Sequence, residues 1–266
     1  MRPAAELVVA DCLAFLATVE TASVGLVYAD PPFLTQSVRS AAAASFVDRF
    51  ASPERYVEWL RPRVVELHRV LGVRGSIFLH IDHRTTHHVR LLLDEVFGRD
   101  RFRNEIIWRY GLGGRAPGRA FARKHDSILF YARGHENAFD PPRGAVTEAM
   151  QRKYRHVDAG GRRYMNAHGR RYYLQGGKLL DAVWEIPSIG PTARERVGYP
   201  TQKPLALLER IVLAASKPGE TVLDPFLGSG TTAVAALMHG RSFRGCDCSS
   251  DAVSLAQARI APLLRA

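Results

Sequence analysis

The chain of 266 residues is long enough for one large α/β domain or for a domain that carries an insertion. Hydrophobic residues make up 46% and charged residues 24%, which is typical of globular proteins and excludes disorder through most of the chain. Charged residues interrupt every apolar run before it reaches the roughly 20 residues of a membrane span. Three cysteines form neither a disulfide framework nor the paired spacing of a zinc site. We therefore expect a reduced, cytoplasmic protein without a metal.

Positive charge is concentrated in one part of the chain. The net charge is +11, and residues 143–178 contain nine Lys or Arg against two acids. Four tyrosines lie among these cations, a mixture that suits contacts to both the phosphates and the bases of nucleic acid. The cations expected to contact nucleic acid are Arg152, Lys153, Arg155, Arg162, Arg163, Arg170 and Arg171.

Apolar patterning predicts that strands and helices alternate through most of the chain, which favours a parallel sheet. Helix 53–71 has a serine before it and a proline at its first position, as helix starts often do. Predicted elements of the first part are strands at 7–10 and 24–29, helix 53–71, strand 76–81, helix 84–97, and strands at 104–110 and 127–131.

The alternation stops after residue 132 and resumes near residue 204. Residues 133–198 are rich in Gly and Arg and have no amphipathic period, so we interpret them as an insertion. Predicted elements after it are helix 204–216, strand 221–223, helix 230–239, strand 242–246 and a last helix to about residue 264. The predicted organisation is 1–132, the insertion 133–198, and 199–266.

A glycine turn follows the strand at 221–223. Gly228 and Gly230 let the backbone approach a ligand, and the N–H groups of the next helix attract its polar end. The turn lacks the lysine of an ATP-binding loop. It does fit the relaxed fingerprint of an NAD site, with Asp247 at the end of the next strand, but it comes too late in the chain to begin a doubly wound sheet. An NAD-dependent oxidoreductase is the more distant alternative.

A second functional pattern ends the strand at 24–29. In Asp30-Pro31-Pro32-Phe33, the prolines remove two N–H donors and leave a carboxylate and carbonyls as acceptors beside an aromatic ring. These groups suit the exocyclic amine of a flipped-out base, with Phe33 stacking on it. A second Asp-Pro-Pro at 140–142 follows no apolar strand and has arginine in place of the ring, so we assign it to a loop.

With both patterns present, the sequence resembles the β group of amino-methylating DNA methyltransferases. Six blocks carry the resemblance in the order of that family, and they span nearly the whole chain: 30–33, 75–82, 104–108, 125–129, 199–204 and 224–232. The resemblance implies an α/β fold with a seven-stranded, mostly parallel, Rossmann-like sheet and a circularly permuted motif order. It also implies that residues 1–132 form the catalytic half, 133–198 a target-recognition insertion and 199–266 the cofactor-binding half.

The resemblance implies direct methyl transfer from S-adenosylmethionine to an amine in duplex DNA. Asp30, Pro31, Pro32 and Phe33 would be the catalytic residues. The implied cofactor contacts are Asp11, Asp30, Lys203, Asp224, Phe226, Gly228, Gly230, Thr231 and Asp247. No nucleophilic thiol is needed, and none of the cysteines follows a proline as it would in a 5-methylcytosine enzyme. His80 and Asp82, at a predicted strand end, are expected to shape the crevice.

The sequence departs from this family at two positions. Phe33 stands where Tyr is more usual, and His83 stands where a second acid is frequent. An Asp-first motif goes more often with adenine, so we favour N6 of adenine and keep N4 of cytosine as the alternative. A DNA-binding relative without catalysis would lack one of the two strand-end motifs, and both are intact. A cognate restriction endonuclease and a homodimer are further partners that families of this kind imply.

Overall fold

Strands and helices alternate along the chain, and the computed structural model describes residues 3–34, 37–41, 44–48, 50–111 and 118–265. The strands in these residues are β1 (Ala5–Val9), β2 (Val24–Ala29), β3 (Ser37–Ala41), β4 (Ala44–Asp48), β5 (Leu71–Ile81), β6 (Phe102–Arg109), β7 (His125–Ala132), β8 (His156–Val157), β9 (Arg163–Ala167), β10 (Arg170–Tyr173), β11 (Val183–Glu185), β12 (Thr221–Asp224) and β13 (Ser242–Asp247). The α-helices are α1 (Cys12–Ala17), α2 (Pro53–Val70), α3 (Thr86–Phe97), α4 (Glu148–Lys153), α5 (Leu205–Ala215), α6 (Thr231–Met238) and α7 (Ser250–Arg265).

The central sheet has the strand order β1-β13-β12-β2-β5-β7-β6-β11. All neighbours pair in parallel except β7, which is antiparallel to both β5 and β6. The mostly parallel sheet is therefore confirmed, and β12 and β13, late in sequence, lie between β1 and β2 as a permuted order requires. The count of seven strands was wrong by one. Strand β11 is only three residues long, too short to show a period, and lies inside the segment predicted to be an insertion.

Two helical layers cover the sheet. Phe15 of α1, Leu60 of α2 and Leu93 of α3 are buried in one apolar cluster with Val27 of β2. On the other face, helices α5, α6 and α7 pack against the neighbouring strand residues Leu26 and Tyr28. Because successive side chains of β2 point to opposite faces and both faces are covered, the strand is apolar throughout, as parallel strands usually are.

The parallel direction of the strands places four acids at one edge of the sheet. Asp224 and Asp247 are the last residues of β12 and β13, and Asp30 follows β2 directly. Asp11 follows β1 by two residues and caps α1, where its Oδ1 accepts from the N–H of Leu13 at 2.8 Å. Carboxyl ends of parallel strands are the usual place for a ligand crevice.

The chain divides into two compact units. One contains the residues up to Phe139 and those from Ala182 onward, and the other is Asp140–Asp181. The smaller unit contains α4 and a three-stranded antiparallel sheet in the order β10-β9-β8. It lies within the predicted insertion 133–198, and these short elements, like the β3–β4 hairpin, were not predicted from the sequence. In the part of the chain that the structure describes, no helix is long and apolar enough to cross a membrane.

Candidate active site

A cavity of about 280 Å³ lies at the carboxyl edge of the sheet. It brings together residues that are far apart in sequence but were predicted to act together. The predicted site residues that line it are Asp11, Asp30, Pro31, Pro32, Phe33, Lys203, Asp224, Phe226, Gly228, Thr231 and Asp247. Gly230 is not among the lining residues.

Asp30 has one paired and one unpaired oxygen. Its Oδ2 accepts a hydrogen bond from the Nζ of Lys203, which is itself buried. Its Oδ1 is buried and has no hydrogen-bond partner, and Nδ1 of His80 lies 3.9 Å away. A buried carboxylate oxygen without a donor is costly, so this atom is prepared to accept a hydrogen bond from a ligand.

Close to Asp30, three side chains from neighbouring strands form a hydrogen-bonded network. The hydroxyl of Tyr28 lies 2.7 Å from Nδ1 of His80, and Nε2 of His80 lies 3.3 Å from Asp126. Since the Asp126 carboxylate can only accept, we assign the proton to Nε2, and Nδ1 then accepts from Tyr28. Burial, followed by the charge of Asp30, raises the pKa of Tyr28 well above its usual value, so its hydroxyl remains a donor.

This network also fixes the aromatic ring of the site. The ring of Phe33 lies 5.4 Å from the fully buried ring of His80, which in turn meets Trp108 edge to face at 5.5 Å. His80 does not line the cavity itself, and it contacts the crevice through the ring of Phe33. Asp82 instead holds its neighbour Arg84 through two side-chain hydrogen bonds at 2.7 and 3.0 Å.

The glycine turn is held by two carboxylates. Asp224 accepts hydrogen bonds from the N–H of Phe226 at 3.0 Å and from the hydroxyl of Thr232 at 2.6 Å. Asp247 accepts from the N–H of Gly228 at 2.9 Å. Gly228 has a φ of +49°, which glycine adopts without strain, so its backbone can lie against the cavity.

Gly230 has a packing role. Its φ is +74°, and a Cβ added there would lie 2.5 Å from the Cβ of Ala256 in α7. The glycine therefore lets α6 start close against α7. The adjacent Thr231 does line the cavity, and its hydroxyl contacts Ser229 and Arg259, both at 3.1 Å.

One wall of the cavity is formed by two residues of α2 that were not predicted from the sequence. The guanidinium of Arg63 stacks on the ring of Trp59 at 3.9 Å and lies 3.3 Å from Oδ2 of Asp11. The Trp59 ring is also 6.1 Å from that of Phe226. Together with Asp11 these rings form a slot that suits a flat base with an amino group. The i, i+4 spacing of Trp59 and Arg63 was the available signal.

The cavity is acidic although the chain is basic. Its charged lining residues are four carboxylates and two cations: Asp11, Asp30, Asp224, Asp247, Arg63 and Lys203. The pKa of Asp224 is raised to about 7, mainly by burial and in smaller part by the charges of Asp30 and Asp247, although its hydrogen bonds lower it. A cationic ligand relieves this repulsion, whereas the pyrophosphate of NAD would add to it. The charged groups that line the cavity therefore fit a nucleoside that carries a positive charge.

We expect Asp224→Asn to make the protein without ligand more stable at high pH. The raised pKa means that ionisation of Asp224 in the folded state costs free energy, and this cost grows as pH rises from about 4 to about 7. The gain in free energy of unfolding should be about 2 to 3 kcal/mol larger at pH 8 than at pH 5. Urea unfolding of both proteins at the two pH values measures it, with Asp251→Asn on the exposed face of α7 as control. An equal gain in free energy of unfolding at pH 5 and pH 8 would contradict the raised pKa of Asp224.

The cysteine thiols are poor nucleophiles. Burial raises the pKa of Cys12 to about 12, and it also raises the pKa of Cys246 and Cys248. Reactive cysteines have a lowered pKa, so a covalent thiol mechanism has no support here. The described residues contain no cluster of three or more His, Cys, Asp or Glu that could hold a metal ion.

The cations predicted to bind DNA lie on the smaller unit, and all seven are exposed. Two of them stack on tyrosines: Arg162 lies 4.6 Å from the ring of Tyr173, and Arg171 lies 4.9 Å from that of Tyr164. Arg162 also forms an ion pair with Asp158 at 2.9 Å. The unit thus presents guanidinium groups held in place by aromatic rings.

Comparison with known proteins agrees with this geometry. A family model described as DNA methylase matches residues 24–258. Among curated proteins, DNA adenine methyltransferase YhdJ of Escherichia coli (strain K12) is 28% identical over 250 residues, which cover 94% of this chain and 80% of the relative.

Solved structures share the fold. The PvuII DNA methyltransferase (cytosine-N4-specific) superposes with a TM-score of 0.69 at 14% identity and covers 100% of this chain and 93% of its own. The M1.HpyAVI–SAM complex gives 0.65 at 19% identity and covers 96% of this chain and 98% of its own. At these identities the likeness establishes the α/β methyltransferase architecture.

Proposed function

Because this chain belongs to the DNA methylase family, we propose that it is a site-specific enzyme that transfers a methyl group to N6 of adenine in duplex DNA. S-adenosylmethionine is the cofactor, in agreement with the solved complex of a structural neighbour. The observation that carries the proposal is the unpaired Oδ1 of Asp30 beside Phe33, in an acidic cavity at the end of the sheet. An exocyclic amine has the hydrogen that this oxygen needs, and a sulfonium has the positive charge that the cavity favours.

The cofactor contacts follow from the cavity. Asp247 accepts a hydrogen bond from the N–H of Gly228, and this pair would meet the ribose at the glycine turn. Trp59 and Phe226 would enclose the adenine, with Asp11 accepting from its amino group. Lys203 would contact the carboxylate of the methionine part. When bound, S-adenosylmethionine supplies an electrophilic methyl group and a neutral thioether as leaving group.

Catalysis rests on positioning and electrostatics. The Oδ1 of Asp30 and the carbonyl of Pro31 would accept both hydrogens of the target amine, which directs the nitrogen lone pair toward the methyl carbon. Positive charge develops on that nitrogen as the bond to the methyl carbon forms, and the Asp30 carboxylate would stabilise it. The methylated nitrogen would then release one proton to solvent. Tyr28 and His80 keep Asp30 and Phe33 in place and so reduce reorganisation during the reaction.

The second candidate is methylation of N4 of cytosine. The PvuII neighbour, described as cytosine-N4-specific, supports it, and both amines offer the same two hydrogens to Asp30. We favour adenine because of the Asp-first motif and because YhdJ, described as a DNA adenine methyltransferase, matches 94% of the chain.

We also propose that the target base is flipped out of the duplex, because Asp30 and Phe33 lie inside a cavity that a stacked base cannot enter. Unit Asp140–Asp181, with its exposed arginines, would contact DNA. We place the reaction in the cytoplasm with its DNA substrate. A cognate restriction endonuclease and a homodimer stay predictions.

Single-molecule sequencing with modified-base detection tests the function directly. The chain is expressed in a host without DNA methylation, and the host DNA is sequenced. We expect N6-methyladenine at one sequence motif, which also identifies the recognition site. N4-methylcytosine would instead support the second candidate. No modified base, although the purified protein binds S-adenosylmethionine, would contradict duplex DNA as the substrate.

A further inference from the structure

An exposed phenylalanine lies on the loop that joins β6 to β7, outside the cavity. Phe121 is 95% exposed, whereas Phe139, the next most exposed of the phenylalanines whose side chains are described, is 45% exposed. A ring in this position buries almost no surface against the protein, so it contributes little to folding. Its presence calls for another role, and exposed apolar groups often mark a binding site.

This loop leaves the sheet at the catalytic edge. Strand β7 is antiparallel to both β5 and β6, so β6 ends and β7 begins at the edge where β5 ends. The loop closes where the carbonyl of Lys124 accepts from the N–H of Tyr110 at 3.2 Å. Two residues further, Asp126 contacts His80, which lies 3.9 Å from Asp30. Asp126 is five positions after Phe121, so their Cα atoms are at most about 18 Å apart.

The neighbours of Phe121 are cationic. Arg119, Arg123 and Lys124 are all exposed on the same short segment. Cations of this kind bind DNA phosphates whatever the sequence, and they would hold the segment against the duplex. A ring held between phosphate-binding cations can enter the base stack, as apolar side chains do in proteins that unstack DNA.

We propose that Phe121 is the wedge that enters the duplex beside the target nucleotide and occupies the space that the flipped base leaves. This inference rests on the proposed function, in which Asp30 and Phe33 receive an extruded base. The ring replaces the stacking that the neighbouring bases lose, and so it lowers the free energy needed to bring the base into the cavity.

The test uses single-turnover methylation with radiolabelled S-adenosylmethionine on the sequence motif found by sequencing. One duplex has the target base paired, and the other has it opposite an abasic site. We expect Phe121→Ala to lower the rate at subsaturating DNA about tenfold to a hundredfold on the paired duplex. On the abasic duplex the rate should stay within about threefold of wild type, because that base has no pairing to break. Phe121→Leu, which keeps an apolar wedge, should restore most of the rate.

Phe139→Ala is the matched control. This residue lies at the opposite edge of the sheet. The N–H of the preceding residue, Ala138, donates to the carbonyl of Arg74 in the amino-terminal part of β5. Its rates should equal those of wild type on both duplexes. A wild-type rate for Phe121→Ala on the paired duplex, or an equal loss on both duplexes, would overturn the wedge. Absence of methylation by the wild-type chain would contradict the proposed function, and the wedge with it.

Discussion

Asp30→Ala is expected to lower methyl transfer by at least about a thousandfold, while the dissociation constant of S-adenosylmethionine changes by less than about fivefold. The variant removes the buried Oδ1 that has no partner in the protein and that would hold the target amine. Cofactor binding survives because Asp11 and Asp247 lie on other strand ends of the same cavity. Single-turnover methylation and calorimetric titration of the cofactor measure the two effects separately.

The control for Asp30→Ala concerns Lys203. This lysine is buried and forms its ion pair with Asp30, so removing the carboxylate leaves an unpaired buried ammonium that can destabilise the fold by about 3 to 5 kcal/mol. Asp30→Asn combined with Lys203→Gln removes both charges and keeps the shape. If this double variant melts like wild type, still binds S-adenosylmethionine in the calorimetric titration and is inactive, the loss is chemical. Methyl transfer at a wild-type rate by Asp30→Ala would contradict the assignment of Asp30.

Residues that follow apolar strands were predictable from sequence. Asp30 directly follows one strand and Asp247 is the last residue of another, and parallel strands bring their carboxyl ends to one edge. The cavity confirms that these acids lie together. The Asp-Pro-Pro at 140–142, which follows no apolar strand, lies outside the strands of the described residues, as predicted. The two Asp-Pro-Pro motifs are therefore distinguished by their position relative to a strand end, since their sequences are the same.

Contacts between distant elements were not predictable. Tyr28 and His80 are 52 residues apart, as are Asp11 and Arg63, and no local pattern relates the members of either pair. Their hydrogen bonds depend on the order of strands in the sheet and on where α2 packs, which only the tertiary structure decides. The three-residue β11 and the strands of the smaller unit were missed for another reason, because short segments carry too few residues to show a period.

Neutralising four arginines of the smaller unit is expected to weaken DNA binding about a thousandfold at 0.1 M salt. The variant replaces Arg162, Arg163, Arg170 and Arg171 with glutamine. All four are exposed, and the stacking of Arg162 on Tyr173 and Arg171 on Tyr164 holds two of them in place for phosphate contacts. Each lost phosphate contact removes about 0.9 from the slope of log affinity against log salt, so the slope should become less steep by about 3 to 4.

Fluorescence anisotropy with a labelled duplex between 50 and 300 mM salt measures the slope. The control carries four substitutions to glutamine at exposed arginines outside Asp140–Asp181, namely Arg55, Arg74, Arg99 and Arg265. Both variants lose the same net charge, so a general electrostatic effect would change them equally. Arg162 already pairs with Asp158, and we expect Arg162→Gln alone to change the slope less than Arg163→Gln. If the two quadruple variants have the same slope of log affinity against log salt, the DNA-binding surface lies outside the smaller unit.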